Sequence, residues 1–418
     1  MKAMKENRTM ALVLAAVAAV AGFAAEGQVS CGVEAMTCAT CRAEKRGIDV
    51  DFLVKMLSIP SETSDLETNG RCTEFLAEWL SARGVACNVL ENDKGRKYLY
   101  ASTVPGKRHD YVFVSHTDVV PAASPAQYKP KFDGDWLCAR GACDTKGNVA
   151  VICQVLANLA GKGSVGALIA TDEDGPTLEK GTPTPKAALE AGYVPRKFIL
   201  VGDSAGEEPD QLFVAEKGHA RIKLIARGKG GHSSRPWALD NPIPKLMAGW
   251  MKAMAAIPSP ADPNEHWRDV ISPTLLKGSD AGNQIPDTAE MTLSLRFTTP
   301  DGYDKWAKFL REATGLEVEC YATYRAPVVS DPNDPRIQAL FKAMQAKWPG
   351  NNVRIGRMSA ATDASYFAHL NLPTVIYAPT GIGPHSADER VSLQSLNDYA
   401  DMLTDFLKAQ VQPNGDMR

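Results

Sequence analysis

From about residue 48 the chain alternates between two hydrophobic periods. "IDVDFLVKMLSIP" and "RCTEFLAEWLSARG" repeat apolar residues three and four apart, which predicts amphipathic helices, the second closing at Gly84. Short apolar runs at 111–114, 166–170 ("GALIA") and 198–201 ("FILV") predict buried strands. Between the first two runs, "DTKGNVAVICQVLANLAG" predicts a helix ending on Gly161. Strands separated by helices predict a parallel or mixed sheet.

The texture changes after Gly218. "ARIKLIARG" alternates as a half-buried strand does, and "NPIPKLMAGWMKAMAAIP" reads as a helix. Strands near 269–276 and 288–297, a helix from Asp301 and the run "LEVECYATY" complete a two-layer α/β segment. "SDPNDP" at 330–335 reads as a boundary. Then a helix, "NVRIGRM", a second helix, "PTVIYAP" and a last helix to about Gln410 resume the first pattern. The expected class is α/β: a catalytic domain with a mixed sheet flanked by helices (48–217 and 327–418), interrupted by an inserted two-layer α/β domain (218–326).

The N-terminus has a different character. Lys2, Lys5 and Arg8 precede "ALVLAAVAAVAGFAA", a run of small apolar residues, with polar sequence beyond it. That is the pattern of a secretory signal over 1–25, cleaved near Ala24 or Ala25. An uncleaved anchor and a lipidated Cys31 are the alternatives, and either would be the chain's only membrane tie. The expected location is periplasmic or extracellular. In such an oxidising compartment disulfides persist. The nine cysteines, three of them (Cys31, Cys38, Cys41) in the segment 26–47, are expected as disulfides or free thiols, with at least one unpaired. A net charge of −3 and a pI near 6.2 leave no basic surplus for nucleic acid.

Five stretches set a metal-capable side chain just past an apolar strand or in a glycine turn. They are "VSHTD" (His116, Asp118), "RGACDTKG" (Asp144), "IATDEDG" (Asp172, Glu173, Asp174), "LVGDSAG" (Asp203) and "GIGPHSADE" (His385). Singly, each reads as easily as turn chemistry, a solvated acidic loop or, for Asp203, a helix cap. Jointly they fit one pattern, because open α/β sheets bind ligands beyond the carboxyl ends of their strands. Two histidines and three carboxylates suit two borderline cations, Zn²⁺ with Co²⁺ or Mn²⁺ as alternatives. Three carboxylates and a bridging hydroxide balance two divalent ions.

With "GKGGHSS" in the inserted segment, these motifs resemble, in order, the dinuclear-zinc amidohydrolase family of aminoacylase, acetylornithine deacetylase, succinyl-diaminopimelate desuccinylase and glutamate carboxypeptidase. The resemblance spans about 48–412. It implies a zinc-peptidase-like catalytic domain whose inserted lid also dimerises. His116 and Asp203 would hold one zinc, His385 and Asp174 the other, and Asp144 would bridge. Glu173 would be the general base acting on a metal-bridged hydroxide, and Asp118 would orient the His116 ring. His232 would serve the partner subunit's active site. Arg296 and Asn283 resemble substrate contacts, Arg296 suiting a terminal carboxylate. "SAATDASYF" (359–367) resembles a loop lining the substrate pocket. Three departures stand out. Asp174 stands where the family carries Glu. "GDS" replaces Gly-Glu-Pro, which leaves Glu207 and Glu208 as competing ligands. Cys143-Asp144-Thr145 replaces Ala-Asp-Met.

The expected function is an exported metal-dependent amidohydrolase or exopeptidase. Its substrate would be a small peptide or N-acyl amino acid with a free carboxylate. The rivals are a deacetylase- or desuccinylase-like deacylase, which in the family serves cytosolic biosynthesis, and a non-catalytic binding protein on the same fold. A serine hydrolase is set aside because no GxSxG elbow is read at a strand-to-helix turn.

Overall fold

The computed structural model describes residues 46–175, 181–203, 206, 211–258, 262, 265–321 and 324–411. The expected signal, Cys31, Cys38, Cys41, Glu207 and Glu208 all lie outside them. Among the described residues no helix is long and apolar enough to cross a membrane.

Helix α1 (Val50–Leu57) is capped by Asp49, and α2 (Leu66–Ser81) by Asp65, whose carboxylate accepts from the Thr68 N–H. A cap of this kind contributes about 1 kcal/mol, so α2 starts earlier than its apolar run. β1 (Ala86–Glu91) and β2 (Lys97–Ser102) were not expected; β1 is an edge strand with little apolar signal. β3 (Arg108–His116), α3 (Gly147–Asn158), β4 (Val165–Ala170), α4 (Thr184–Glu190), β5 (Val194–Gly202) and β6 (Gln211–Glu216) follow. The second sheet comprises β7 (Gly218–Arg227), α5 (Pro242–Ala256), β8 (Val270–Lys277), β9 (Thr288–Phe297), α6 (Gly302–Thr314) and β10 (Glu317–Cys320). The chain returns to the first sheet through β11 (Val328–Val329), α7 (Pro335–Lys347), β12 (Arg354–Met358), β13 (Thr374–Tyr377) and α8 (Leu393–Val411).

The main sheet runs β1-β2-β4-β3-β5-β13-β6-β11, with β12 also beside β6. Its four central strands, β4-β3-β5-β13, are mutually parallel. In β3, Tyr111 and Phe113 join the cluster formed with α1, α2, α3, α7 and α8, while Val112 and Val114 join the cluster on the opposite face. A sheet buried on both faces needs continuous apolar runs, hence "YVFV" and "FILV". The second sheet, β8-β9-β7-β10, is antiparallel, and α5 and α6 bury one face of it. One-sided burial explains the alternation of "ARIKLIARG".

Two expected helices change. The one from Asp144 begins only at Gly147, because Asp144 and Thr145 have non-helical backbone angles. The one between β12 and β13 is a 3-10 helix, Asp363–Leu370. The six described cysteines (Cys72, Cys87, Cys138, Cys143, Cys153, Cys320) are free thiols, so no disulfide forms among the described residues.

Candidate active site

The four parallel strands deliver the site. β3 ends on His116, β4 leads into Glu173 and Asp174, β5 ends just before Asp203, and the loop after β13 carries His385. All lie at carboxyl ends of neighbouring strands, where the backbone leaves the sheet and side chains converge. Asp144 joins them from the turn before α3. That turn is built around Glu389, a buried carboxylate that accepts from the N–H groups of Gly141 (2.9 Å), Cys143 (3.2 Å) and Asp144 (3.2 Å). Arg140 Nη1 donates to the same group at 2.6 Å. Removing one partner of such a buried pair costs about 3–5 kcal/mol. Gly141 has φ +80, and an added Cβ would lie 2.8 Å from Val119 Cγ1, so only glycine fits there. The Cys143 thiol is pushed up by burial and stays protonated, so it packs rather than reacts.

Asp144 presents its two oxygens to two different imidazoles. Oδ1 lies 3.4 Å from His116 Nε2 and Oδ2 lies 3.1 Å from His385 Nε2. His116 Nε2 is also 3.7 Å from Asp203 Oδ1, and His385 Nε2 is 3.0 Å from Asp174 Oδ1. Ligand atoms of His116, Asp144 and Asp174 all lie within 4.8 Å of one another. The His116 ring faces the Asp118 backbone carbonyl through Nδ1, at 3.1 Å. Its Nε2, fully buried, has no hydrogen-bond partner among the described residues. A buried, unpartnered ring nitrogen aimed at two carboxylates is what a metal ligand requires.

Electrostatics agree. Burial pushes the His116 proton affinity down, yet Asp118, Asp144 and Asp203 outweigh it and raise it well above the ordinary value. Asp144 and Asp174 push His385 up to about 10. Burial raises Asp144, but His116 and His385 prevail and hold it well below the usual carboxylate range. The carboxylates give the cage a negative field that attracts cations, and two imidazoles and three carboxylates are donors that borderline divalent ions accept. The residues present therefore fit the two ions expected.

Asp118 performs a wider task than orienting a ring. Its carboxylate accepts from Thr63 Oγ1 (2.7 Å) and from the N–H groups of Glu173 (3.2 Å) and Asp174 (3.0 Å). It thereby folds the "TDEDG" loop over His116. Asp118 is completely buried. Asp172 turns away and caps α4 through the Thr184 N–H, 2.9 Å. Glu173 stays beside the cage. Burial pushes it up to about 7, against the opposing charge of Arg325, which donates from Nη1 to Glu173 Oε1.

Sequence reasoning missed three groups behind Glu173. Arg325 lies 4.0 Å from Asp363, a buried acid within the quoted "SAATDASYF" stretch. Glu216 is buried, accepts from Thr362 N and Oγ1 (both 2.8 Å) and is pushed up to about 8 by burial. Glu389 was equally missed, although "GPHSADE" ends on it. Arg325 and Glu216 belong to no motif.

The remaining expected residues lie elsewhere in the chain. His232 and Asn283 sit on a two-stranded ribbon, Gly231–His232 against Gln284–Ile285, where Ser233 N–H donates to the Asn283 carbonyl (2.9 Å). Arg296 is half-buried in β9, and its guanidinium makes no hydrogen bond or ion pair among the described residues. None of the three bonds to the cage within its own chain. The next described element after Asp203 is the strand β6. The ground for setting aside a serine hydrolase also needs correcting. Residues 202–206 read Gly-Asp-Ser-Ala-Gly and match GxSxG. What excludes an elbow is that β6 follows, where the elbow needs a helix, and that Asp203 inside the pentad faces His116.

A structural zinc cage has no use for a buried carboxylate of raised proton affinity beside it, whereas hydrolysis does; fold and site together define a metal-dependent hydrolase. Residues 112–409 match the model described as "Peptidase family M20/M25/M40", and the chain belongs to that family. A succinyl-diaminopimelate desuccinylase from Granulibacter bethesdensis is 28% identical over 358 residues, covering 79% of this chain and 91% of that protein. Two solved structures share the fold. An M20-family metallo-carboxypeptidase from Sulfolobus solfataricus has a TM-score of 0.69 at 16% identity, covering 86% of this chain and 98% of that one. An aminopeptidase from Bacillus cereus has a TM-score of 0.68 at 18% identity, covering 87% and 100%.

Proposed function

We propose that the enzyme hydrolyses the amide of a small peptide or an N-acyl amino acid carrying a free carboxylate. The observation that carries this reading is Asp144 dividing its two oxygens between His116 and His385, with Glu173 at hand. His116 and Asp203 would hold one divalent ion, His385 and Asp174 the other, and Asp144 both; zinc suits this donor set, and cobalt or manganese can replace it. The bound ions supply Lewis acidity to the scissile carbonyl and acidify water. The Glu173 carboxylate takes the proton of the attacking water and delivers it to the leaving amine. Arg296, an uncommitted cation, would grip the substrate carboxylate with its fork, and Asn283 would add an amide contact.

The developing oxyanion needs a donor. Ser234 N–H donates to His232 Nδ1 at 3.2 Å, so that nitrogen is the acceptor and the ring proton sits on Nε2, which points a free donor outward from an exposed ribbon. We propose that residues 218–326 form a lid and dimerisation domain and that His232 acts in a second copy's site. Met247, Met251 and Met254 share one exposed face of α5, and Leu275 and Leu276 stand exposed on β8, an edge strand. An apolar, unpaired edge is what a second copy would cover.

Two outcomes check this. Replacing Met251 and Leu276 together by Lys is expected to give a monomer by light scattering; a dimer of unchanged size would refute the interface. His232→Ala is expected to lower turnover on the order of 10²-fold while both metals remain bound, and mixing it with Glu173→Gln protomers is expected to restore activity. Failure of the mixture to regain activity would return His232 to the hairpin alone.

A chelator-sensitive screen across dipeptides, N-acyl amino acids and N-succinyl diamino acids tests the reading as a whole. The desuccinylase relatives favour the last class as a second reading, a deacylase. Hydrolysis of none of the three by metal-loaded protein would leave a binding protein. The charged and then apolar N-terminus supports export, which N-terminal sequencing of the mature protein decides.

A further inference from the structure

We propose that Arg325 is a positioning residue that holds the Glu173 carboxylate in its working place beside the metal cage; this rests on Glu173 being the base. The guanidinium grips Glu173 twice. Nη1 donates to the side-chain Oε1, and Nη2 reaches the backbone carbonyl at 3.5 Å. Glu173 has three side-chain torsions, and two anchor points from one rigid planar group remove most of that freedom.

Arg325 is itself clamped from behind. Its Nη2 lies 4.0 Å from the buried Asp363 Oδ1, and its Cζ lies 5.7 Å from the centre of the Tyr366 ring. Its backbone exchanges two hydrogen bonds with His219 at the start of β7: His219 N–H to the Arg325 carbonyl, 2.9 Å, and Arg325 N–H to the His219 carbonyl, 2.8 Å. It is only 8% exposed, so water does not screen the pair as it does at a surface.

The competing role, a substrate-carboxylate anchor, fits poorly. Both terminal nitrogens of Arg325 are committed to Glu173 and Asp363, leaving only Nε without a partner among the described residues. Arg296 is the uncommitted cation of this neighbourhood. The two arginines thus divide the work: Arg296 faces substrate and Arg325 faces the base.

The test compares Arg325→Ala and Arg325→Lys with wild type, using the metal-loaded enzyme and the best substrate from the screen. Arg325→Ala is expected to lower kcat on the order of 100-fold, the cost of a base displaced by about an ångström. KM is expected to stay within about threefold and both metals to remain bound. Guanidinium ion at millimolar concentration is expected to restore part of the lost kcat and to leave wild type unchanged. Arg325→Lys is expected to fall between, having charge but no fork. A readout independent of turnover is thermal melting after chelation. Arg325→Ala is expected to melt below wild type, and Arg325→Ala with Glu173→Gln to recover part of that loss, because the orphaned buried charge is gone.

Wild-type kcat in Arg325→Ala while Glu173→Gln is inactive overturns the proposal and leaves the base assignment standing. A raised KM with kcat preserved overturns it in favour of substrate anchoring. Loss of metal together with kcat, without rescue by guanidinium, overturns it in favour of a structural role. Undiminished activity in Glu173→Gln removes the base assignment, and this proposal with it.

Discussion

Glu173→Gln is expected to yield a folded protein that keeps both metals and turns over substrate at least about 10³-fold more slowly, within the range attributed to general acid–base catalysis. The amide is nearly isosteric with the carboxylate and retains an oxygen that Arg325 can reach, so position is conserved while proton transfer is lost. Glu173 is also not one of the five groups in the imidazole–carboxylate contacts of the cage, so metal content is expected to hold by elemental analysis. Substrate binding, read as KM or by calorimetry with the inactive variant, is expected to persist. Activity within tenfold of wild type would remove Glu173 as the base. Loss of metal would instead make it a ligand.

Asp144→Ala carries the other large effect. This one side chain faces both imidazoles, and removing it opens both halves of the cage. Bound metal is expected to fall from about two ions per chain to fewer than one, and turnover by on the order of 10³-fold or more. Melting supplies a second measure. Ions that bind only the native state stabilise it by about 2.7 kcal/mol at one hundred times their Kd. Wild type is therefore expected to melt lower after chelation, whereas Asp144→Ala is expected to be nearly indifferent to chelator. Two tightly bound ions in Asp144→Ala would show that the bridge is not needed.

How far the sequence reached depends on the residue. His116, Asp144, Asp174 and His385 were legible because each follows an apolar strand or sits in a glycine turn, and strand ends on one edge of a parallel sheet must converge. The place of Glu173 beside the cage was legible from its neighbours in "TDEDG". Arg325 and Glu216 were not, since a buried cation or acid in a connecting stretch looks the same in sequence as a solvated one. Glu389 was visible in its motif, but its work for the Asp144 turn depends on three backbone N–H groups some 245 residues away. The helix expected from Asp144 failed for the same reason: local propensity favoured it, and the Glu389 contacts favour a non-helical turn that frees the carboxylate.

By itself, the sequence determined the alternation of elements, the two kinds of sheet and the set of donor atoms. Periodicity reports how many faces of an element are buried, and residue type reports which atoms can bind a cation. Only the tertiary structure decided which oxygen faces which imidazole, that Asp118 organises a loop, and that Arg325 bonds to Glu173. Those outcomes depend on contacts between residues distant along the chain, and such distances leave no mark on local pattern.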